Sequence, residues 1–285
     1  MDLNFRSKGA LSLTFLVSAL LLLVGCELTV TVDVPPVEPT YVLNSIFSPD
    51  SLWKVNLSKS KSVLDEDPYA RVDDATVTIR DEHDVTVETL RSTGYGNYQG
   101  STRPMVGKRY KIEASFNDNT VVKSVSSAPS PVGIISAKAE DSDLELVFQD
   151  PAGVINYYMI KVVKESKRVV PKSPTSADTI RLAREDYIDP NDPSLEYGYF
   201  EASIMLNDRV FDGQLFLFKA QLANPPDTRV YLFSISEEYY NYYMQVGLQK
   251  KSKRDAFAQP VQVTTNIENG WGVFGGFSAA TKSLK

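Results

Sequence analysis

From Tyr41 onward the chain is a series of short runs of β-branched and aromatic residues, each closed by turn-forming residues, and this is the pattern of antiparallel sheet. Strands are predicted at 41–47, 52–58, 75–80, 84–90, 108–116 and 119–126. The runs Ala75-Thr-Val-Thr-Ile-Arg80 and Val85-Thr-Val-Glu-Thr-Leu90 alternate faces across a polar tip, Asp81-Glu-His-Asp84, which is the form of a hairpin. Short strands at this density predict a β-sandwich over 41–130. Pro129 and Pro131 cannot donate to a ladder and bias their neighbours toward extended backbone, so the domain boundary is expected at about residue 130.

The second half, 131–285, repeats the strand pattern at 132–139, 143–149, 154–165, 197–206, 214–222 and 229–235, then changes period. Residues 237–251, EEYYNYYMQVGLQKK, predict one amphipathic helix, with Tyr239, Tyr242, Tyr243 and Val246 on a single face. Ser234 and Glu237 have capping-box spacing, and the acids open the helix while Lys250 and Lys251 close it, as the helix dipole favours. Residues 166–196, rich in Pro, Ser and Asp, read as a long connection of the functional or mobile kind. The expected architecture is thus mainly β, a sandwich followed by a second β-rich domain carrying one helix.

Residues 1–25 have the form of a signal peptide. Arg6 and Lys8 precede the apolar run 11–25, LSLTFLVSALLLLVG, which falls short of the roughly 20 residues needed to span a bilayer. Leu23, Val24 and Gly25 stand immediately before Cys26, the one cysteine in the chain, and this order resembles the bacterial lipobox. In that arrangement the thiol is acylated with chains such as palmitate, the signal is cleaved, and Cys26 becomes the first residue. Each buried methylene contributes about 0.8 kcal/mol, so two or three chains anchor stably. Residues 26–40 are then a lipidated cysteine and tether. Pro35, Pro36 and Pro39 keep the stretch semi-extended, with a reach of about 45 Å.

Charge and composition narrow the function. With 36 Asp and Glu against 30 Lys and Arg, the formal net charge of -6 argues against nucleic acid as a partner and for lipid, not a polybasic patch, as the membrane attachment. The single histidine, His83, leaves few hydrolase or zinc constellations open. Its neighbours Asp81, Glu82 and Asp84 share a hairpin tip and point in different directions, so a solvated turn is expected there. Asp189-Pro-Asn-Asp-Pro193 lacks the spacing and central glycine of a calcium loop. Gly270-Trp-Gly-Val-Phe-Gly275 matches a dinucleotide fingerprint only formally, because no helix or βαβ unit follows it. Ser58 and Lys61 follow a strand and lack the other elements of a serine β-lactamase. No cofactor, metal or catalytic residue is expected. Candidate binding residues are Asn266, Glu268, Asn269, Trp271 and Phe274 in the C-terminal segment, with Tyr197 and Tyr199 from the aromatic-rich second domain, although a helix packed on a sheet also needs such rings in its core.

Several blocks line up in order: the Cys26 lipobox, Tyr41-Val-Leu-Asn-Ser-Ile-Phe-Ser-Pro49, Asp74-Ala-Thr-Val-Thr-Ile79, Gly94-Tyr-Gly-Asn-Tyr98, Gly107-Lys-Arg-Tyr110, Asn207-Asp-Arg-Val-Phe-Asp-Gly213, Ser236-Glu-Glu-Tyr-Tyr240, and Pro260 through Gly275. Together they resemble the Bacteroidota lipoprotein family called domain of unknown function 4249. The resemblance implies an outer-membrane lipoprotein with N-terminal immunoglobulin-like strands, typically encoded beside a TonB-dependent receptor, and it carries over no catalytic residue. The expected function is a lipid-anchored binding or accessory protein, facing the periplasm or the cell surface, that works with such a receptor without catalysis. A carbohydrate-binding module is the alternative, and a carboxylate-dependent glycosidase a more distant one.

Overall fold

The computed structural model describes residues 38–62, 65–173, 176–186, 188–190, 194–195, 197–222, 228–253, 257–259 and 261–284. The signal segment, Cys26 and most of the tether lie outside the described residues. The fold is mainly β, as the strand pattern predicts. In the first half the strands are β1 (Tyr41–Phe47), β2 (Lys54–Lys59), β3 (Thr76–Asp81), β4 (Thr86–Gly94), β5 (Asn97–Gln99), β6 (Arg109–Ser115) and β7 (Val121–Ser127). They pair in the spatial order β1-β2-β5-β4-β3-β6-β7. Period-2 alternation puts Leu43, Leu57, Val77, Ile79, Ile112 and Val122 on one face, each at or below 1% exposure, so the two arms of this run close on a shared apolar core. Burial of each such side chain contributes about 1.5–3 kcal/mol. Trp53 lies at its centre, with ring centroids 5.0 Å from Phe47 and 4.9 Å from Tyr110.

The second half contains β8 (Ile134–Glu140), β9 (Asp143–Gln149), β10 (Tyr157–Ser173), β11 (Ser176–Asp186), β12 (Ile188–Pro190), β13 (Tyr197–Phe200), β14 (Ser203–Asn207), β15 (Leu215–Leu222), β16 (Thr228–Ile235), α1 (Glu237–Ser252) and β17 (Trp271–Ser283). One sheet runs β12-β15-β9-β8, and the other arm runs β13-β14-β10-β16-β17. Tyr158, Ile160, Ile204, Leu206, Val230 and Leu232 face Leu144, Leu146, Phe148 and Phe218 of the smaller sheet. The opposite face of the same arm presents Met159, Met205 and Ile235 to Tyr239 and Tyr240 of α1. Coverage on both faces explains why Ser203-Ile-Met-Leu-Asn207 is buried throughout and does not alternate.

β17 joins the halves. Its first residues pair parallel with β1, Val42 opposite Trp271 through Phe47 opposite Gly276, and the rest pair antiparallel with β16. Residues from Glu38 to Lys285 form one compact unit, while the core side chains divide at Ala128 and Val132, with Ile267 and Phe274 returning to the first core.

Two local expectations are corrected. Much of the 166–196 stretch, expected as an open connection, is strand: β10 continues to Ser173 and pairs with β11 from Val162 opposite Asp186 to Ser173 opposite Ser176. Valine, isoleucine and threonine set this hairpin against its polar composition, and Pro171 is accommodated where the register shifts. The helix cap is Ser236, whose Oγ accepts from Tyr239 N–H at 3.3 Å, whereas Ser234 Oγ accepts from Val132 N–H at 3.2 Å and ties the start of the second half to β16. Of the predicted helix face, Tyr239 is buried together with Tyr240, while Tyr242, Tyr243 and Val246 are half-buried. No helix among the described residues is long and apolar enough to cross a membrane.

Candidate functional site

The C-terminal candidates occupy the seam between β7 and β17. Asn266 substitutes for a neighbouring strand: its Oδ1 accepts from Phe274 N–H at 3.0 Å and its Nδ2 donates to Phe274 O at 2.8 Å. Its own carbonyl accepts from Ser124 Oγ at 2.7 Å. Both ends of the amide are thereby committed to the fold. Phe274 is 0% exposed, 4.7 Å from the Phe47 ring, and belongs to the first core. Asn269 adopts a left-handed φ of 59° and donates from Nδ2 to Val121 O at 3.3 Å. The backbone of Glu268 bridges Lys123 of β7, and its side chain is exposed beside a groove of about 400 Å³ lined by Arg80, Lys111 and Lys123. Trp271 remains 45% exposed. Within this set, Glu268 and Trp271 keep exposed side chains, and Asn266 and Phe274 build the seam.

Gly272 shows why the segment is glycine-rich. Its φ of +114° is one that L side chains rarely adopt, and a Cβ there would lie 2.0 Å from Leu43 O. Tyr197 and Tyr199 are half-buried on β13, with ring centroids 5.5 Å apart, and pack on the second core. β13 lies four sheet positions from β17, about 19 Å at 4.8 Å per strand, so these tyrosines and Trp271 do not form one surface.

Exposed aromatics converge instead in the first half. Tyr69 and Tyr95, 61% and 72% exposed, line a pocket of about 320 Å³ with Asn56, Ser58, Arg71 and Asn97. Arg71 stands 5.0 Å from the Tyr95 ring centroid, and Lys61 5.3 Å from that of Tyr69. Neither tyrosine was named as a binding candidate from the sequence, because Tyr69 lies between Pro68 and Ala70 and Tyr95 between two glycines, away from the aromatic-rich second half. His83 sits on its hairpin tip with its side chain 78% exposed, 3.8 Å from Glu82. The turn is held by Asp81 Oδ1, which accepts from the N–H groups of His83 and Val85, both at 2.9 Å. The string at 189–193 begins in β12 and continues outside the described residues.

A carboxylate cluster was also missed. Asp150 follows β9, while Asp208 and Asp212 occupy the turn after β14, and each offers an oxygen within 4.8 Å of the other two. Asp150 and Asp208 are each 1% exposed and Asp212 is exposed. Asp150 Oδ1 accepts from Tyr158 OH at 2.5 Å and Oδ2 from Gly213 N–H at 2.8 Å. Asp208 Oδ2 accepts from Asn156 N–H at 2.8 Å and Nδ2 at 3.0 Å, and Asp212 Oδ1 from Gly153 N–H at 2.9 Å. Burial raises the Asp150 carboxyl above its ordinary value, and the negative charges of Asp208 and Asp212 push the same way, against the bonds from Tyr158 and Gly213. Burial and the adjacent Asp150 raise the Tyr158 hydroxyl well above the usual phenol range. The sequence signal was half present: Asn207-Asp-Arg-Val-Phe-Asp-Gly213 stood out as a block, but its partner Asp150 lies in the loop after β9, remote in sequence.

No curated protein matches the chain. The sequence profile of one family matches residues 27–283, a span that runs to the last residue of β17, and the chain belongs to that family, the Domain of unknown function (DUF4249).

Proposed function

We propose that the protein is a lipid-anchored, non-catalytic binding or accessory subunit of the bacterial outer membrane that works with a TonB-dependent receptor. The observation that carries this reading is the place of Cys26. It follows a cleavable-type apolar segment and the Leu23-Val24-Gly25 triplet, and the family match begins at the next residue, Glu27. Residues from Glu38 onward form one compact unit, and the sequence between it and the cysteine carries Pro35 and Pro36, a composition suited to a tether that holds a binding domain near a membrane protein. Glu268 and Trp271, at the exposed side of the seam, are the receptor-facing candidates, and the N-terminal half is read as an immunoglobulin-like sandwich. Fractionation tests the anchor. Wild-type protein enters the detergent phase of native membranes and Cys26→Ser protein stays in the aqueous phase; equal partitioning of the two overturns the reading. Tagged protein purified from mild detergent recovers the receptor, and recovery without one removes the accessory role.

The carbohydrate-binding alternative is favoured by one observation, the Tyr69, Arg71 and Tyr95 pocket with its flanking Asn56 and Asn97. Tyrosine faces stack on sugar rings while amides pair with hydroxyls. Loss of glycan retention on substituting both tyrosines with alanine supports it, and retention unchanged by that pair retires it. The Asp150 cluster does not support the glycosidase reading. Two of its three acids, Asp150 and Asp208, are each 1% exposed, so no pair of them is open to flank a sugar ring.

A further inference from the structure

The loops after β9 and β14 interlock through their acids. Asp150 accepts from Gly213 of the second loop, Asp212 accepts from Gly153 of the first, and Asn156 of the first holds Asp208 of the second. The donors in these bonds are backbone N–H groups, an amide and a phenol, all neutral. Among the oxygens of the two buried acids, Asp208 Oδ1 alone is left over: it is buried, and no donor among the described residues reaches it. A buried carboxylate oxygen without a hydrogen bond is rare in a folded protein, and here it sits on an acid whose two neighbours are also acids.

We propose that Asp150, Asp208 and Asp212 form a binding site for a divalent cation of the calcium class, which joins the two loops. The donors are carboxylate oxygens, with neither imidazole nor thiolate among them, so the set suits a hard cation and not zinc or copper. Three protein carboxylates gathered in one place suit calcium, which takes six to eight oxygen ligands in flexible geometry, better than magnesium, which keeps most of its waters and is usually held by one or two carboxylates. A cation gives Asp208 Oδ1 the partner it lacks and offsets three like charges. Asp212, the exposed member, leaves an entry side for the ion and for water ligands. The Tyr158 hydroxyl, hydrogen-bonded to Asp150, places an ultraviolet-absorbing ring beside the site.

The test uses the purified full-length protein in detergent, stripped with a chelator. Calcium raises the thermal midpoint in a saturable way, and terbium added in its place gives tyrosine-sensitised emission that excess calcium abolishes. Asp212→Asn, at an exposed position that the core does not use, weakens calcium binding by about tenfold or more, the scale of losing one carboxylate ligand. Asp208→Asn abolishes the calcium response, and its folding is checked separately by circular dichroism. The proposal is overturned by an unchanged midpoint up to about 10 mM calcium, above the range of weak extracellular calcium sites. It is equally overturned by an Asp212→Asn response identical to wild type, or by magnesium acting as strongly as calcium.

Discussion

Glu88 gathers four hydrogen bonds, from the N–H and Oγ of Ser101 at 2.5 and 2.7 Å and from the N–H and Oγ1 of Thr102 at 3.0 and 2.6 Å. Burial alone would raise its carboxyl; the four donors outweigh burial and hold it at about 2, below its ordinary 4.5. A depressed carboxylate contributes stability that is fully present above the ordinary value and is lost as pH falls toward the depressed one. Glu88→Gln is therefore less stable than wild type at pH 7 by about 1.5 kcal/mol, the low end for bonds to a charged group because this one is partly exposed. The gap narrows from pH 4.5 downward and closes near pH 2, as read by urea denaturation across that window. Asn266 works through shape and not charge. Replacing it with alanine leaves the Phe274 N–H and C=O without their partner, at a cost of about 2 kcal/mol in the same measurement. The residue type was conspicuous in the sequence, but its role was not, since an amide that mimics a neighbouring strand looks the same on paper as one that meets a ligand.

Helix α1 shows how far local pattern reaches. Its extent, acids and lysines follow from residues 237–251 alone, because capping and dipole preferences act within one turn. The cap itself was misplaced by two residues, because Ser236 is selected by tertiary contacts as well: its Oγ also accepts from Gly276 N–H at 3.2 Å and pairs with Ser126 Oγ at 3.1 Å. Ser236→Ala consequently costs about 2 kcal/mol, the upper end for an N-cap, and lowers the denaturation midpoint with the slope unchanged. Alternation revealed most first-half strands, with β1 found to the residue. Hairpin β10–β11 was hidden by its prolines and charges, and the extent of β17 by glycines that ordinarily weaken strands. Both owe their form to partners remote in sequence, which no local window contains.

The two apolar cores, the first drawn from β1–β7 with Ile267 and Phe274 and the second from Val132 onward, are coupled through β17, which holds β1 by one end and β16 by the other. Gly272→Ala places a Cβ against Leu43 O at a φ that alanine tolerates poorly, and costs on the order of 3 kcal/mol. Wild-type protein unfolds in one calorimetric transition, and this variant separates into two as the first core loses its stitch. A single shifted transition in the variant would instead show that contacts around Ser234 and Ser236 couple the cores on their own. The same pairing has a consequence for biosynthesis. The opening strand of the folded body lies beside a neighbour that the ribosome makes almost last, so the nascent amino end cannot complete its sheet while the remainder is still being translated. A polypeptide wired this way stays open through most of its manufacture.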